Sequence, residues 1–449
     1  MRVRTLVLVA AAGLAFVAAI AMPYGAVGRE DARRAASIDP PATIHLFYSP
    51  LGLVRPGTDA GISVDAICTT AGGNPCAAHV TLGTKVGSES WETMTRTAST
   101  GLEFDVTEIA SRAARFGSGV VRFFLRAHTA TGLATSAGSP ASPLKFWVLP
   151  VMPEVHMPSI PFGRVRKPAT VLVLPWGSGP TKAGLAPGKE SLTGGPSSFD
   201  VDEEGRIHLL DTEQDRLAVF SEGELVREVP VELDSDADVS VAADGTAYVL
   251  DAASDVATVR PVSPLGHLKP AQPLGAALSA HIRTVGNDAF ANLLPADVWV
   301  PVPGGSDALP ALPHEPFVGA PISEDAQLVR IGTTEGVRLG EVSGEDVVRA
   351  VEIRSETPLG EVALAEPDGT GGYWCVVRVW REEPSPADQY QVVHISGERI
   401  VESFAVSAEQ FADTPPLSRF RLGSDGDLYQ LTTSPSGVRI GRFDLGGEA

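Results

Sequence analysis

The chain has 449 residues, a length that admits two or three domains of ordinary size. Its 35 lysines and arginines stand against 55 aspartates and glutamates, which gives a formal net charge of -20. A surface this acidic repels phosphate backbones, so we expect no nucleic-acid partner. The 46 glycines and 36 prolines favour many turns over long helices.

The first 22 residues form a basic and then apolar segment. Arg2 and Arg4 precede an apolar run from Leu6 to Met22, and the small residues Ala19 and Ala21 fit a cleavage pattern. This layout predicts a signal peptide at 1–22. The run also reaches the lower limit of length for a membrane span, so an uncleaved N-terminal membrane anchor stays open. Either way, after a polar spacer at 23–41 the chain is expected to be extracytoplasmic, secreted or anchored.

Cysteine usage agrees with export. Cys68 and Cys76 bracket a turn-rich loop, and in an oxidising compartment we expect a disulfide between them. Two reduced thiols or half of a metal site are the alternatives, but no second cysteine pair completes a zinc set. Cys375 is left over on an alternating apolar run, which predicts a buried, unreactive thiol.

Residues 42–149 contain several short runs of β-forming residues separated by turn residues. This spacing predicts an antiparallel sandwich that resembles the bacterial immunoglobulin-like class, with one short helix near 107–117. Residues 150–168 contain closely spaced prolines, which hold a chain extended. We therefore predict that 150–168 is a linker before a second domain at 169–449.

The second domain carries a repeat. In GPSSFDVDEEGRIHLLDTEQDRLAVF (195–220), two alternating strands flank a turn that contains Gly205, and a third strand follows, which predicts a meander. Val239, Gly245 and Asp251 then fall 40 residues after Phe199, Gly205 and Asp211, and residues 362–406 and 420–432 hold looser copies. A unit of about 40 residues with four strands indicates a β-propeller.

These residues resemble NHL-type propeller repeats. The resemblance lies in WGSGP (176–180), in GPSSF (195–199) and in the aspartate–glycine turns that end in a strand-closing aspartate. It is good over 170–260, fair over 360–445 and poor over 270–355. It implies an all-β chain with roughly six blades, in which residues 169–176 supply the outer strand of the last blade and so close the ring.

Two acidic patterns are candidates for metal or ligand binding. Asp200, Asp202, Glu204 and Gly205, with Asp211, loosely fit a calcium loop, but a strand of about 16 Å would separate Asp211 from the turn, which favours a plain hairpin. Blade-face loops carry further candidate ligand-binding residues: Asp211, Asp215, Asp238, Asp251, Asp255 and Arg419. A ring of carboxylates could hold a divalent metal or a cationic ligand, although aspartates at turns also cap backbone N–H groups.

No nucleophile motif or zinc-protease motif occurs, and no residue is assigned as catalytic or as a metal ligand. We therefore expect a binding or scaffold protein of the cell envelope, which contacts a protein or a glycan, with no cofactor predicted. An uncleaved anchor would add the membrane as a partner. The alternative is a metal-dependent extracytoplasmic hydrolase or lactonase with calcium or another divalent metal at the propeller axis.

Overall fold

The protein is described from a computed structural model. The described residues are 42–49, 51–58, 60–98, 101–116, 119–186, 193–233, 237–252, 257–274, 279–293, 298–302, 317–332 and 336–446. The predicted signal peptide or anchor and the spacer lie outside them. Within the described ranges, no helix is both long and apolar enough to span a bilayer.

Contacts divide the chain into a small and a large unit. The described part of the small unit is 42–43 with Thr69–Asn74, where the Thr43 and Thr69 hydroxyls hydrogen bond at 2.8 Å and Thr70 N donates to Asn74 O at 2.8 Å. The large unit comprises Ile44–Cys68 and Pro75–Ala449.

The N-terminal strands form two sheets. They are β1 Thr43–Tyr48, β2 Leu53–Val54, β3 Gly61–Thr69, β4 Ala78–Val86, β5 Glu92–Ala98, β6 Leu102–Asp105, β7 Val120–His128, β8 Ala134–Ala137 and β9 Leu144–Val148. One sheet has the order β1-β3-β6 and the other β2-β9-β7-β4-β5, with β8 beside β7. Along β3, Ile62, Val64 and Ala66 are buried while Ser63 and Asp65 are exposed, so the alternation in the sequence places one face of the sheet on a shared core.

The predicted helix is confirmed as α1, Thr107–Phe116. Asp105 Oδ1 accepts the Thr107 N–H at 2.9 Å, which caps the first turn, and Arg115 lies in the last turn, where a cation complements the helix dipole. Ala110 and Ala113 are fully buried in the core that the helix shares with the two sheets. The disulfide between Cys68 and Cys76 is also present, with a Cα–Cα distance of 5.1 Å.

The described residues from 150 onwards form six further sheets. Sheet 1 contains β12 Ser198–Val201, β13 Ile207–Asp211, β14 Arg216–Ser221 and β15 Glu224–Pro230; sheet 2 contains β16 Ala237–Val241, β17 Ala247–Asp251, β18 Thr258–Val262 and β19 Gln272–Pro273; sheet 3 contains β20 Ser279–Val285, β21 Asp288–Leu293, β22 Val298–Pro301 and β23 Phe317–Val318. Sheet 4 contains β10 Glu154–His156, β24 Ala320–Pro321, β25 Gln327–Gly332, β26 Gly336–Ser343 and β27 Asp346–Arg354; sheet 5 contains β28 Leu359–Pro367, β29 Tyr373–Arg381, β30 Ala387–Ser396 and β31 Arg399–Ser407; sheet 6 contains β11 Ala169–Pro175, β32 Phe420–Leu422, β33 Leu428–Ser434 and β34 Gly437–Phe443.

Neighbouring sheets contact one another near their first strands. β12 contacts β16, β16 contacts β20, and β20 contacts β24; sheet 4 then meets β28 through β25, β28 contacts β32, and β32 returns to β12. This closed succession of antiparallel meanders is a β-propeller arrangement. The expected closing strand is confirmed, because β11 pairs with β34 at the outer edge of sheet 6.

The turn between β12 and β13 of sheet 1 contains an aspartate and a glycine, and each has a structural role. Asp202 Oδ1 accepts the N–H groups of Glu204 and Arg206 at 3.0 and 2.9 Å, and this holds the turn. Gly205 then adopts φ of 73°, a left-handed conformation that suits glycine best. The repeated turn thus has a backbone cause.

The segment 150–168 lies along sheets 4 and 5. β10 pairs in parallel with β27, Gln391 Nε2 donates to Pro158 O at 2.8 Å, and Arg166 N donates to Ala405 O at 2.7 Å. Proline-rich chain at these sheet edges satisfies part of their hydrogen-bonding capacity.

The N-terminal sandwich packs on sheet 4. Leu53 lies against Gly340, where an added Cβ would come within 2.6 Å of a Leu53 methyl carbon. Arg55 pairs with the buried carboxylate of Glu352 at 2.8 Å, and Val329 and Val342 of sheet 4 belong to the sandwich core. A larger residue at Gly340 would therefore collide with Leu53. The N-terminal sheets and sheet 4 share one apolar core.

Candidate ligand-binding cavity

Side chains join the first strands of sheets 1, 2 and 3. Asp200 Oδ2 accepts the Val241 N–H at 2.8 Å, Asp238 Oδ2 accepts the Ile282 N–H at 3.0 Å, and Ser240 Oγ accepts the Thr284 N–H at 3.1 Å. Each bond runs from one first strand to the backbone of the next. The first strands of sheets 1, 2 and 3 are therefore linked into one wall of the propeller, and these bonds satisfy backbone N–H groups that would otherwise be unpaired.

Asp238 is the centre of this wall. It is fully buried, and its carboxylate accepts hydrogen bonds from the hydroxyls of Ser198 and Ser418, the latter at 2.8 Å, and from Arg421 Nη2 at 3.0 Å. Burial by itself would raise the pKa of Asp238, but the Arg421 charge and the converging donors hold it well below its ordinary value. Asp238 is therefore an ionised residue that ties sheets 1, 2, 3 and 6 together.

A cavity of about 500 Å³ is lined by residues of sheets 3, 4, 5 and 6 and of the connection before β32. The first strand of sheet 4, β24, has only two residues. Ala320 of β24 lines the cavity together with Leu328 and Arg330 of the second strand, β25. The volume falls within the range of small-molecule sites.

The polar lining of the cavity is rich in arginine. Five arginines contribute to it, against three carboxylates; the arginines are Arg283, Arg330, Arg378, Arg419 and Arg421, and the carboxylates are Glu361, Glu366 and Asp413. The charge of the lining is thus opposite in sign to the net charge of the chain.

A hydrogen-bonded chain of side chains crosses one wall. Tyr390 Oη donates to Glu361 Oε1 at 2.6 Å and accepts from Arg419 Nη1 at 3.0 Å, while Arg419 Nη2 donates to Gln410 Oε1 at 3.3 Å. Burial raises the pKa of Tyr390, so its hydroxyl stays protonated at neutral pH. Arg419 therefore makes only neutral hydrogen-bond contacts here.

His281 also lines the cavity. Its side chain is 35% exposed, and its Nδ1 lies 3.5 Å from Asp238 Oδ2. Asp238 holds the imidazole against the wall, which leaves a half-exposed histidine beside the arginines. This arrangement differs from a catalytic serine–histidine–aspartate triad. In a triad the serine bonds to the histidine, whereas here Ser198 and Ser418 bond to the aspartate.

The residues predicted to form a ligand face lie in different local surroundings. Arg419 lines the cavity and Asp238 lies behind His281, as just described. Asp211 is fully buried and accepts the Gly184 N–H at 3.2 Å; burial raises its pKa although Arg216 and Gln214 also bond to it. Asp215 is an exposed left-handed residue with φ of 48° after a 3-10 turn at Thr212–Gln214.

The remaining predicted residues lie elsewhere or outside the described part. Asp251 is half-buried at the end of β17, and Asp255 lies outside the described residues. In the described ranges, no group of three or more histidine, cysteine or acidic residues could hold a metal ion. Cys375 is fully buried, and burial raises the pKa of its thiol to about 12.

Several cavity residues have no local signal in the sequence. His281 and Arg330 lie in the stretch 270–355, where the repeat is hardest to recognise, and Gln410 lies in the connection before β32. Of the residues at the cavity, only Arg419 and Asp238, behind His281, are among the candidates that the sequence predicts for blade-face loops.

No protein-family model matches the chain, and no curated protein matches it in sequence. Solved structures with some likeness include virginiamycin B lyase from Staphylococcus aureus, with 8% identity, 56% of this chain and 95% of that chain covered, and a TM-score of 0.35. A streptogramin B lyase has 12% identity, coverage of 72% and 89%, and a TM-score of 0.34. The PQQ-bound aldose sugar dehydrogenase from Streptomyces coelicolor has 12% identity, coverage of 62% and 96%, and a TM-score of 0.34. The strand pairings of the chain itself, rather than these likenesses, carry the propeller assignment.

Proposed function

We propose that this protein is an extracytoplasmic binding protein in which a six-bladed, NHL-like propeller holds a small ligand in its axial cavity. Each of the six sheets is one blade, and the N-terminal sandwich is an immunoglobulin-like domain. One observation carries the proposal: a cavity of about 500 Å³ combines apolar walls with several polar side chains at the axis.

The packing between the sandwich and sheet 4 favours a structural role for the sandwich, as a base that holds the propeller. Lys145 Nζ donates to Gly344 O at 3.3 Å, Arg122 pairs with Glu345, and Arg338 Nη1 donates to Leu53 O at 3.4 Å. These contacts, with the shared core, favour a rigid mount for the propeller over a swinging spacer. In the cell envelope, such a mount would present the propeller face to a protein or glycan partner.

Export is supported by the basic and apolar residues of 1–22 and by the disulfide, because disulfides persist in oxidising compartments. Cell fractionation with an antibody to the full chain tests this proposal. We expect the protein outside the cytoplasm, either with a new N-terminus near residue 22 or bound to the membrane. Recovery of the whole pool in the cytoplasm would refute export.

Filling the cavity tests ligand binding. A screen of small fragments by ligand-observed NMR on the full chain is expected to find binders, and Ala363→Phe, which places a ring in the lining, should abolish their signal. Ala134→Phe on the exposed face of β8 is the matched control and should leave binding unchanged. Fragments that bind equally to both variants would place the site elsewhere.

A second candidate function is hydrolysis or another proton-transfer reaction at the same cavity. The observation that favours it is His281, half-exposed in the cavity with Asp238 at its Nδ1. Activity on model lactones and esters, resistant to a metal chelator and lost in His281→Gln, would support it. The described residues offer no ligand set for the metal-dependent version.

A further inference from the structure

The arginines of the cavity differ in how their charges are neutralised. Arg283 forms a two-pronged pair with Glu366 at 2.6 and 2.5 Å, Arg421 pairs with Asp238 at 3.0 Å, and Arg378 Nε bonds to Asp388 at 2.9 Å. These three guanidinium groups have carboxylate partners within the fold. Their positive charges therefore need no ligand.

Arg330 and Arg419 have no such partner. In the described ranges, Arg330 forms no hydrogen bond and no ion pair, and Arg419 bonds only to the hydroxyl of Tyr390, the amide of Gln410 and the carbonyl of Ala408. Both side chains are partly buried. A guanidinium cannot lose its proton at physiological pH, so each charge persists in a partly desolvated place.

Gln410 adds an unused donor next to Arg419. Its Oε1 accepts from Arg419 Nη2, whereas its Nε2 is buried and has no acceptor among the described residues. Buried amide groups are rarely left without a partner, and an unmade hydrogen bond of this kind is costly. The same wall therefore presents a cation and a free N–H donor, and its carboxylate, Glu361, is linked to Arg419 only through the Tyr390 hydroxyl.

Apolar side chains also line the cavity, between its polar groups. Trp299, Leu328, Val362, Leu364 and Phe420 contribute to it, and they suit a hydrocarbon body and not a fully hydrated inorganic ion. Bidentate pairing with a carboxylate is the interaction for which the planar guanidinium is best shaped.

We propose that the cavity binds a small organic carboxylate, with its anionic group held by Arg419, Gln410 and Arg330 and its apolar body against the Trp299, Leu328 and Phe420 walls. This inference rests on the proposed ligand-binding function and names the chemical class of the ligand. It makes Arg330 and Arg419 the residues that select for negative charge.

Isothermal titration of the full chain with aromatic and aliphatic monocarboxylates, benzoate and octanoate among them, tests the inference. Each acid is paired with its uncharged primary amide. We expect at least one carboxylate to bind about tenfold or more tightly than its amide, and to weaken as salt concentration rises. The inference is overturned if no carboxylate of the panel binds more tightly than its amide.

Variants identify the groups responsible. Arg330→Gln and Arg419→Gln should each weaken carboxylate binding about tenfold while the amide is unaffected, and Arg330→Lys and Arg419→Lys should restore part of the loss. Arg399→Gln, on the exposed edge strand β31, is the matched control. Thermal melts of each variant establish that it is folded. Unchanged carboxylate affinity in both glutamine variants would also overturn the inference.

The two proposals fail in different ways. If amides and acids bind equally and Ala363→Phe abolishes both, the cavity is a ligand site without charge selection, and only the carboxylate inference fails. If Ala363→Phe has no effect on any bound compound, the cavity site itself is wrong.

Discussion

Ser418 Oγ donates a 2.8 Å hydrogen bond to Asp238 Oδ1 across 180 positions of the chain. The bond joins the connection just before β32 of sheet 6 to β16, the first strand of sheet 2. Because the acceptor is fully buried and ionised, this contact and its neighbours hold the ring closed where the polypeptide itself is not continuous.

Removing the Asp238 charge should strongly destabilise the fold. Asp238→Asn removes the closer of the two carboxylates that face Arg421 and leaves only Asp200, at 3.7 Å, so we expect the free energy of unfolding to fall by about 3–5 kcal/mol in urea denaturation. Ser418→Ala removes one donor only and should cost about 1 kcal/mol. Asp388→Asn, in the more exposed pair with Arg378, is the control and should cost less than about 1 kcal/mol. A change below about 1 kcal/mol for Asp238→Asn would contradict the role of this carboxylate.

Stability should fall in acid because of two hairpin-turn aspartates. Burial opposes ionisation of Asp202 and Asp368, but hydrogen bonds from His208 and His394 and from turn donors outweigh it and lower each pKa to about 2. The unfolded chain therefore takes up protons first as pH falls through about 4, and the stabilisation is lost between about pH 4 and pH 2.

Asp202→Asn isolates this contribution. The variant should be less stable than the wild type at pH 6, and the difference should shrink by about 1–2 kcal/mol as pH is lowered to about 2.5. Urea denaturation across this pH series measures it. A stability difference that is constant with pH would show that ionised Asp202 contributes nothing specific.

The closing strand should stabilise the ring through one face only. Leu172 is 3% exposed and packs in the core between sheets 6 and 1, whereas the adjacent Val173 is 57% exposed. We expect Leu172→Ala to lower the free energy of unfolding by about 2–4 kcal/mol and Val173→Ala to change it by less than about 0.5 kcal/mol. Equal effects in denaturant titrations would argue that β11 does not seal the propeller.

The disulfide should stabilise the sandwich modestly. Loss of the short loop constraint in Cys68→Ser/Cys76→Ser is expected to cost about 2–3 kcal/mol, and reduced wild-type protein should behave in the same way. Cys375 should not react with a thiol reagent until the protein unfolds, because it is fully buried with a pKa raised to about 12. Rapid labelling of native protein would contradict this burial.

Short-range features could be predicted from the sequence. The hairpin with its left-handed Gly205, the helix α1, the Cys68–Cys76 pair and the strand at 169–175 depend on turn chemistry, side-chain alternation or residue spacing. The first three features are determined within about ten residues. The strand at 169–175 is predicted because a closed ring of blades needs a strand that joins its two ends. Local order of this kind is written directly in the pattern.

The site was decided by the tertiary structure. Of the residues predicted for a ligand face, Asp211 accepts a hydrogen bond from Gly184, and Asp238 bonds to three neighbouring sheets. Residues of sheets 3, 4, 5 and 6 line the cavity, and Arg330 of the second strand of sheet 4 is one of them. Which side chains meet there depends on the arrangement of whole sheets, and no local period of the sequence encodes that arrangement.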